Sequence, residues 1–328
     1  MNLYSEARIV YVCYTEMNTY PYHVVDVFTR NPLEGNALAV FPNAAGLDDA
    51  TMQKIAKEMN LSETTFVLPA TQPGCAANVR IFAPVREMIF AGHPTIGTAF
   101  VLLEKGNVLR SGTRFALQEK IGAVPIRVEA GASGRPLIWL TTPPIEFGGM
   151  YDRRLCAQVL GLDLKDLLDI KPQIVGAGNP TIFVALRDKR AVDRAWLDMH
   201  GFKILARKRR EATSVFVFAP TSEGAYSRMF GPNLGVPEDP ASGSLTGPLA
   251  AFMIRHGLAS GADGTRLVSE QGTKMGRRSL LHIHIRGKDG VDGIDIGGYV
   301  TPVAEGVMRI HEERTVSRPA AESVRVCG

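Results

Sequence analysis

The chain contains two stretches of the same pattern, placed 151 residues apart. Residues 87–95 read EMIFAGHPT and residues 238–246 read EDPASGSLT, so that Glu, Gly and Thr coincide at three positions. The similarity continues upstream, where residues 80–84 (RIFAP) match residues 228–232 (RMFGP) at an offset of 148. A nearly constant offset of this kind is the signature of an internal repeat. Two copies this far apart predict two similar domains, since a solenoid needs at least three short units.

The length of 328 residues also fits two domains. Residues 131–136 are rich in Gly, Ser and Pro and form a candidate linker. We therefore predict a first domain over residues 21–135 and a second over residues 136–310, with the option that its last strand crosses to the first domain. Residues 1–20 and 311–328 are predicted to be a flexible extension and a flexible tail.

The bulk properties indicate a soluble protein of the cytoplasm. The mean hydropathy is +0.01, and no apolar run approaches the roughly 20 residues that cross a bilayer. Residues 1–20 carry Glu6, Arg8 and Glu16 and lack the apolar centre of a signal peptide. The four cysteines share no CxxC spacing, which argues against a disulfide scaffold or a zinc site and is typical of a reducing compartment.

Each half of the chain has one segment that is apolar on all sides. In residues 96–103 only Gly97 and Thr98 are not clearly apolar, and residues 245–254 have little polar character. A helix that is apolar all round is a buried helix. The remaining segments are mostly short strands. The sequence therefore predicts an α+β fold of two pseudo-symmetric domains, each a curled, mostly antiparallel sheet around a buried central helix.

The repeated turns place reactive groups at the start of these two helices. Helix N-termini carry unpaired N–H groups that attract anions. If the halves face each other, these termini converge on a cleft suited to a small carboxylate, with an anion near the glycine amides. The acid–base candidates attached to the turns are Glu63, His93, Asp239 and Ser244, and a carboxyl in a dry cleft has a raised pKa. Each of them alone could also be only a helix cap or a turn residue.

Several common sites are excluded by the residues present. Thr98 stands where a phosphate loop needs Lys, and residues 176–178 (GAG) lack the third glycine of a dinucleotide fingerprint. The chain has no Gly-x-Ser-x-Gly elbow. His282 and His284 have no third ligand nearby in the sequence, and the basic run at residues 207–210 is too short for a nucleic-acid surface. We therefore expect no cofactor, no metal, no nucleic-acid partner and no membrane association.

Three motifs together resemble those of the phenazine-biosynthesis (PhzF-like) isomerases. They are NLSETTF at residues 60–66, FAGHPT at residues 90–95 and EDPASGS at residues 238–244, with residues 228–230 and 271–277 in agreement. The resemblance covers about residues 20 to 310. It implies the diaminopimelate-epimerase-like fold, a homodimer and a reaction without a cofactor. The enzyme that gives the family its name isomerises trans-2,3-dihydro-3-hydroxyanthranilate.

The resemblance also assigns roles to individual residues. It implies that Glu63 shuttles a proton and that His93, Asp239 and Ser244 surround the substrate. We assign substrate binding to four further residues in or near the motifs: Asn36, Ser62, Gly92 and Gly243. Met88 and Ile89 depart from the family's usual Leu-Pro pair.

Two alternatives remain open at this point. One is a small-molecule-binding protein that keeps the fold without turnover, although such a protein needs no base. The other is an epimerase or racemase. Related enzymes of this fold use two cysteines at the helix N-termini, where this chain has Ala91 and Ser242. A reaction that uses two thiols is therefore not available.

Overall fold

The computed structural model describes residues 9–318 with five gaps, at residues 107–113, 132–133, 209–213, 233–235 and 288–292. The basic run at residues 207–210 lies partly outside the described residues. None of the described helices is both long and apolar enough to span a bilayer.

The described chain forms 18 strands and six α-helices. The strands of the first half are β1 (Ile9–Val27), β2 (Asn36–Phe41), β3 (Glu63–Leu68), β4 (Cys75–Ala83), β5 (Arg86–Met88), β6 (Arg114–Glu119), β7 (Gly122–Ala130), β8 (Pro136–Thr141) and β9 (Glu146–Met150). The others are β10 (Gln173–Gly176), β11 (Thr181–Ala185), β12 (Ser214–Thr221), β13 (Gly224–Gly231), β14 (Val236–Asp239), β15 (Arg266–Gln271), β16 (Ser279–Ile285), β17 (Ile294–Gly298) and β18 (Val300–Arg318). The helices are α1 (Asp49–Met59), α2 (Gly92–Glu104), α3 (Arg153–Val159), α4 (Lys189–Arg194), α5 (Met199–Lys208) and α6 (Gly243–Arg255).

The two halves share one strand order, as the repeat predicts. In the first half β2 and β3 run parallel, β4 pairs antiparallel with β3 and parallel with β6, and β7 and β8 follow antiparallel. In the second half β11 and β12 run parallel, β13 pairs antiparallel with β12 and parallel with β15, and β16 and β17 follow. The antiparallel pair of β8 and β17 joins the halves into one mixed sheet that does not close on itself.

The two predicted central helices are α2 and α6, and nearly all their residues are buried. Helix α2 begins at Gly92 with Ala91 as its N-cap, so His93 is the second helical residue rather than a cap. Pro248 is the sixth residue of α6 and lies inside the helix. A side chain at Gly97 would lie 2.5 Å from Leu38 Cδ2, which explains why a glycine interrupts the apolar face of α2.

Two observations concern the predicted organisation of the chain. Strand β1 starts at Ile9 and pairs with β18 as far as Arg318, in the regions where we predict a flexible extension and a flexible tail. Each of these strands supplies the backbone hydrogen bonds that the other needs. Strands β7 and β8 pair antiparallel outward from Ala130 and Pro136, and residues 132–133 of the candidate linker between them lie outside the described residues. The domain boundary itself stays a prediction.

Candidate active site

The two repeated turns meet at their glycines. A Cβ atom on Gly92 would lie 2.6 Å from the Gly243 carbonyl carbon, and one on Gly243 would lie 2.9 Å from the His93 nitrogen. Only glycine allows the two backbones to approach this closely. The N-termini of α2 and α6 therefore converge, as expected. Both glycines are buried against each other, and the predicted anion site beside their amides stays a prediction.

Glu63 and His93 form the centre of the acid–base group. Glu63 is the first residue of β3, and its Oε2 lies 3.4 Å from His93 Nε2. Burial raises the pKa of Glu63 to about 8, to which the nearby Asp239 carboxylate contributes, and burial lowers the pKa of His93 to about 3. Both side chains are therefore neutral at pH 7. Neither Glu63 Oε2 nor His93 Nε2 has a hydrogen-bond partner among the described residues, so both atoms are available to a ligand.

Asp239 is held by donors that Glu63 lacks. Its Oδ1 accepts from Asn36 Nδ2 at 2.7 Å, and its Oδ2 accepts from Ser242 Oγ at 2.5 Å. Burial raises the pKa of Asp239, while these hydrogen bonds oppose that shift by favouring the charged form. Hydrogen bonds donated to a carboxylate favour its charged form, and Asp239 accepts such bonds whereas Glu63 Oε2 has no partner among the described residues. We therefore place the charge on Asp239 and the proton on Glu63.

Asn36 connects the first half to the second-half turn and fixes the histidine tautomer. Its two amide protons go to Asp239 Oδ1 and, at 3.0 Å, to the Ala241 carbonyl. No proton remains for His93 Nδ1, which lies 3.3 Å from Asn36 Nδ2. A hydrogen bond with the Ala37 backbone favours a proton on this ring. Because Asn36 has no proton left for His93 Nδ1, we assign the ring N–H to Nδ1. His93 Nε2 then has no proton and faces Glu63 as a hydrogen-bond acceptor.

Gln271 is a site residue that the sequence analysis did not single out. Its Nε2 donates to the Asp239 carbonyl at 2.7 Å and lies 3.0 Å from Ser242 Oγ. Its Oε1 accepts from the Ser242 amide at 3.2 Å. Gln271 thereby holds the turn that carries Asp239. Its only sequence signal was its place in a stretch that agrees with the family resemblance.

Ser244 belongs to a second polar group, related to the first by the repeat. Asn179 Nδ2 lies 3.5 Å from Ser244 Oγ and 3.4 Å from the Phe90 carbonyl. Asn179 thus reaches the first-half turn in the way that Asn36 reaches the second-half turn. The structure brings together the predicted residues Asn36, Glu63, His93 and Asp239. Ser244 contacts Asn179 instead of Glu63 or Asp239 among the described residues. Ser62 is a partly exposed residue directly before Glu63.

Comparison of this chain with known proteins identifies its family. The family model described as "Phenazine biosynthesis-like protein" matches residues 25–306. The chain belongs to the PhzF-like family. A PhzF-like relative, trans-2,3-dihydro-3-hydroxyanthranilate isomerase of Pseudomonas aeruginosa, is 34% identical over 290 residues, which are 87% of this chain and 98% of that protein.

Solved structures of PhzF-like proteins share the α+β fold. A Bacillus anthracis protein of the PhzF family superposes with a TM-score of 0.80 at 24% identity, covering 89% of this chain and all of that one. A predicted epimerase of Pseudomonas aeruginosa superposes with a TM-score of 0.76 at 32% identity, covering 88% of this chain and 99% of that one. The resemblance to the PhzF-like isomerases and the predicted fold are confirmed.

The helix caps show how this PhzF-like chain differs from racemases with two thiols. Ala91 is the N-cap of α2 and Ser242 the N-cap of α6, and neither side chain is a thiol. Among the described residues the free cysteines are Cys75 and Cys156, and Cys156 has a pKa raised to about 12 by burial. Within the described part of the chain, no three His, Cys, Asp or Glu side chains are placed to hold a metal ion.

Proposed function

We propose that the protein is a cofactor-independent isomerase that moves a proton between carbon atoms of a small unsaturated carboxylic acid. The first substrate to test is trans-2,3-dihydro-3-hydroxyanthranilate, because the Pseudomonas aeruginosa relative is named for its isomerisation. The observation that supports the proposal most directly is the pairing of Glu63 with His93 Nε2, beside an Asp239 held by three donors.

The chemistry follows from the protonation states. A pKa of about 8 for Glu63 lies close to neutral pH, where one carboxyl serves efficiently both as base and as acid. The reaction starts from the carboxylate form of Glu63, which is the minor form at pH 7. This carboxylate takes a proton from a carbon of the substrate, and the electrons of the broken C–H bond enter the conjugated system. The Glu63 acid then returns the proton to a different carbon, and the double bond shifts. No atom is lost or gained and no oxidation occurs.

The neighbouring residues hold this proton transfer in place. His93 Nε2 is a neutral acceptor that can bind the Glu63 O–H or a substrate donor without competing for the proton, since burial keeps its pKa near 3. Asp239, with its charge fixed by Asn36 and Ser242, keeps the pKa of Glu63 high. Substrate binding by Ser62, Asn36 and the amides of Gly92 and Gly243 is also part of the proposal. For the glycine amides it requires the two turns to separate.

The test is NMR of the purified protein with trans-2,3-dihydro-3-hydroxyanthranilate in deuterated water. We expect the substrate signals to convert to those of an isomer, with deuterium appearing at the carbon that receives the proton when Glu63 exchanges with solvent. Glu63→Gln should abolish the conversion. Glu58→Gln, the same change at an exposed position of α1, should not alter it. Binding without conversion in the wild type would contradict catalysis of this reaction and favour a binding protein.

The remaining parts of the proposal concern cofactors, assembly and location. We propose that turnover survives dialysis against a chelator, because the residues around Glu63 supply both halves of the proton transfer. We also propose a cytoplasmic homodimer without a nucleic-acid partner, as the PhzF-like resemblance implies. Light scattering coupled to gel filtration measures the mass in solution, and a mass of one chain would contradict the dimer.

A further inference from the structure

A second buried carboxyl lies beneath the first turn of α2 and has no part in the proposed proton transfer. Glu119 is the last residue of β6, and only 4% of its surface is exposed. Its Oε1 lies 2.5 Å from the hydroxyl oxygen of Thr95, which is the fourth residue of α2. Its Oε2 has no hydrogen-bond partner among the described residues. The neighbouring cation Lys120 pairs instead with Glu87, at 2.9 Å.

The protonation state of Glu119 follows from counting hydrogens. The Thr95 hydroxyl also lies 2.7 Å from the Ala91 carbonyl, and a carbonyl can only accept. A hydroxyl has one proton, so Thr95 cannot donate to both oxygens. If Thr95 donates its proton to the Ala91 carbonyl, no Thr95 proton lies between Thr95 Oγ1 and Glu119 Oε1, which are 2.5 Å apart. Glu119 must then provide the proton of that hydrogen bond. Glu119 is then a carboxylic acid that donates to Thr95.

The repeat indicates which way the Thr95 proton points. In the second half the equivalent threonine, Thr246, has its hydroxyl 3.0 Å from the Ser242 carbonyl, just as Thr95 faces Ala91. Among the described residues no carboxyl is hydrogen-bonded to Thr246, so the Thr246 hydroxyl donates its proton to the Ser242 carbonyl. The same use of the proton by Thr95 leaves an oxygen lone pair facing Glu119.

The repeat also shows what a side chain at this position does. The residue equivalent to Glu119 is Gln271, since Glu119 ends β6, which pairs parallel with β4, and Gln271 ends β15, which pairs parallel with β13. Gln271 is neutral, and it donates to the turn that carries Asp239. A protonated Glu119 has the same shape, the same absence of charge and one donor. It can therefore hold the first turn as Gln271 holds the second.

We propose that Glu119 is a positioning residue, a neutral carboxylic acid that donates to Thr95 and holds the first turn of α2 so that His93 faces Glu63. The chain of contacts runs from Glu119 to Thr95 and on to Ala91, the N-cap residue two positions before His93. Burial, which raises the pKa of Glu119 to about 8, agrees with the neutral form. The effect on catalysis rests on the proposed function, whereas the protonation state does not.

Infrared spectroscopy tests the protonation state without any substrate. At pH 6 the difference spectrum between the wild type and Glu119→Gln should contain the C=O stretch of a buried carboxylic acid, which shifts in deuterated water. Glu104→Gln, the same change at the exposed last residue of α2, should not remove that band. Loss of a carboxylate band in Glu119→Gln instead of the acid band would overturn the proposal, and it would do so even if the protein turned over no known substrate.

The positioning role is tested by three variants. Glu119→Gln keeps shape and a donor, so we expect kcat within about twofold of the wild type. Glu119→Leu and Thr95→Val each break the contact, and we expect kcat to fall about tenfold or more with KM little changed, since small misplacements of catalytic groups have effects of this size. The double variant should be no worse than either single one. Nitrogen NMR should show altered His93 ring signals in Glu119→Leu. Unaltered ring signals in that variant would overturn the role. Equal falls in kcat in Glu119→Gln and Glu119→Leu would also overturn it.

Discussion

Glu63 and His93 face each other across 3.4 Å as two neutral groups, although the pair has the composition of an ion pair. Burial shifts both pKa values in the direction that favours the neutral form, to about 8 for Glu63 and about 3 for His93. A pKa of about 8 makes the carboxylate of Glu63 the minor form at pH 7 and a stronger base than an ordinary glutamate. His93 Nε2 stays uncharged and does not compete for the proton.

The role of Glu63 predicts how one substitution divides between binding and turnover. Glu63→Gln keeps the shape of the side chain but cannot accept a proton. We expect kcat to fall at least about 10²-fold, the scale of a lost acid–base group, with substrate affinity largely kept. Initial rates and calorimetric titration measure the two quantities. A near wild-type rate would show that Glu63 is not the base, and Asp239 would become the residue to test.

The two equivalent asparagines of the repeat, Asn36 and Asn179, should differ in how much their replacement by Ala lowers kcat. Asn36→Ala removes a donor from Asp239 and frees space beside His93 Nδ1. We expect kcat to fall by about 10²-fold, because a buried donor to a charged group is lost at the reacting centre. Asn179→Ala, its partner in the repeat, loses only contacts of 3.4 and 3.5 Å and should change kcat much less. Equal losses in the two variants would contradict the assignment of the site to the Asn36 side.

The contact between the glycines predicts that a single methyl group disturbs the site. In Gly92→Ala the new Cβ meets backbone atoms of the partner turn at 2.6 to 2.8 Å, and backbone cannot move aside as a side chain can. We expect a loss of about 1–3 kcal/mol in the free energy of unfolding, typical of overpacking, together with reduced turnover. Gly261→Ala is the control, because its Cβ would meet only the Ile254 side chain. Urea unfolding of both variants makes the comparison.

The buried Glu119 predicts a pH dependence of stability. Its pKa is raised from the ordinary 4.5 to about 8 in the folded protein, so the folded state binds more protons than the unfolded state between these values. The free energy of unfolding therefore falls as pH rises through this window and levels off above it. Glu119→Gln has no ionisable group at this position, so its free energy of unfolding does not fall for this reason. Its stability relative to the wild type should rise between pH 5 and pH 8 by a few kcal/mol, at about 1.4 kcal/mol per pKa unit. An unchanged difference across these pH values, measured by urea unfolding, would contradict the raised pKa.

The sequence predicted the parts of the fold that depend on local pattern. The repeat predicted two similar halves, and the apolar runs predicted the buried helices α2 and α6, because periodicity and composition act over short stretches. The motifs predicted that Glu63, His93 and Asp239 belong to one site. What they could not give was which side chains touch. Asn36 and Asp239 are 203 positions apart and meet only after both halves have folded.

Other features depended on pairing that the sequence does not reveal. Residues 131–136 have the composition of a linker, yet the strands on either side, β7 and β8, pair antiparallel with each other, and composition alone does not distinguish these cases. Gln271 and Asn179 gain their positions from strand register rather than from a local signal. The extents of β1 and β18 depend on each other, and neither strand has a reason to be ordered until its partner is known.

The pairing of β1 with β18 has a consequence for synthesis on the ribosome. Strand β1 can pair with β2 soon after both have been synthesised, but its other edge pairs with β18, which follows all the other described strands in the chain. An open strand edge is a template for pairing with another chain. The nascent chain therefore carries such an edge until β18 has been synthesised.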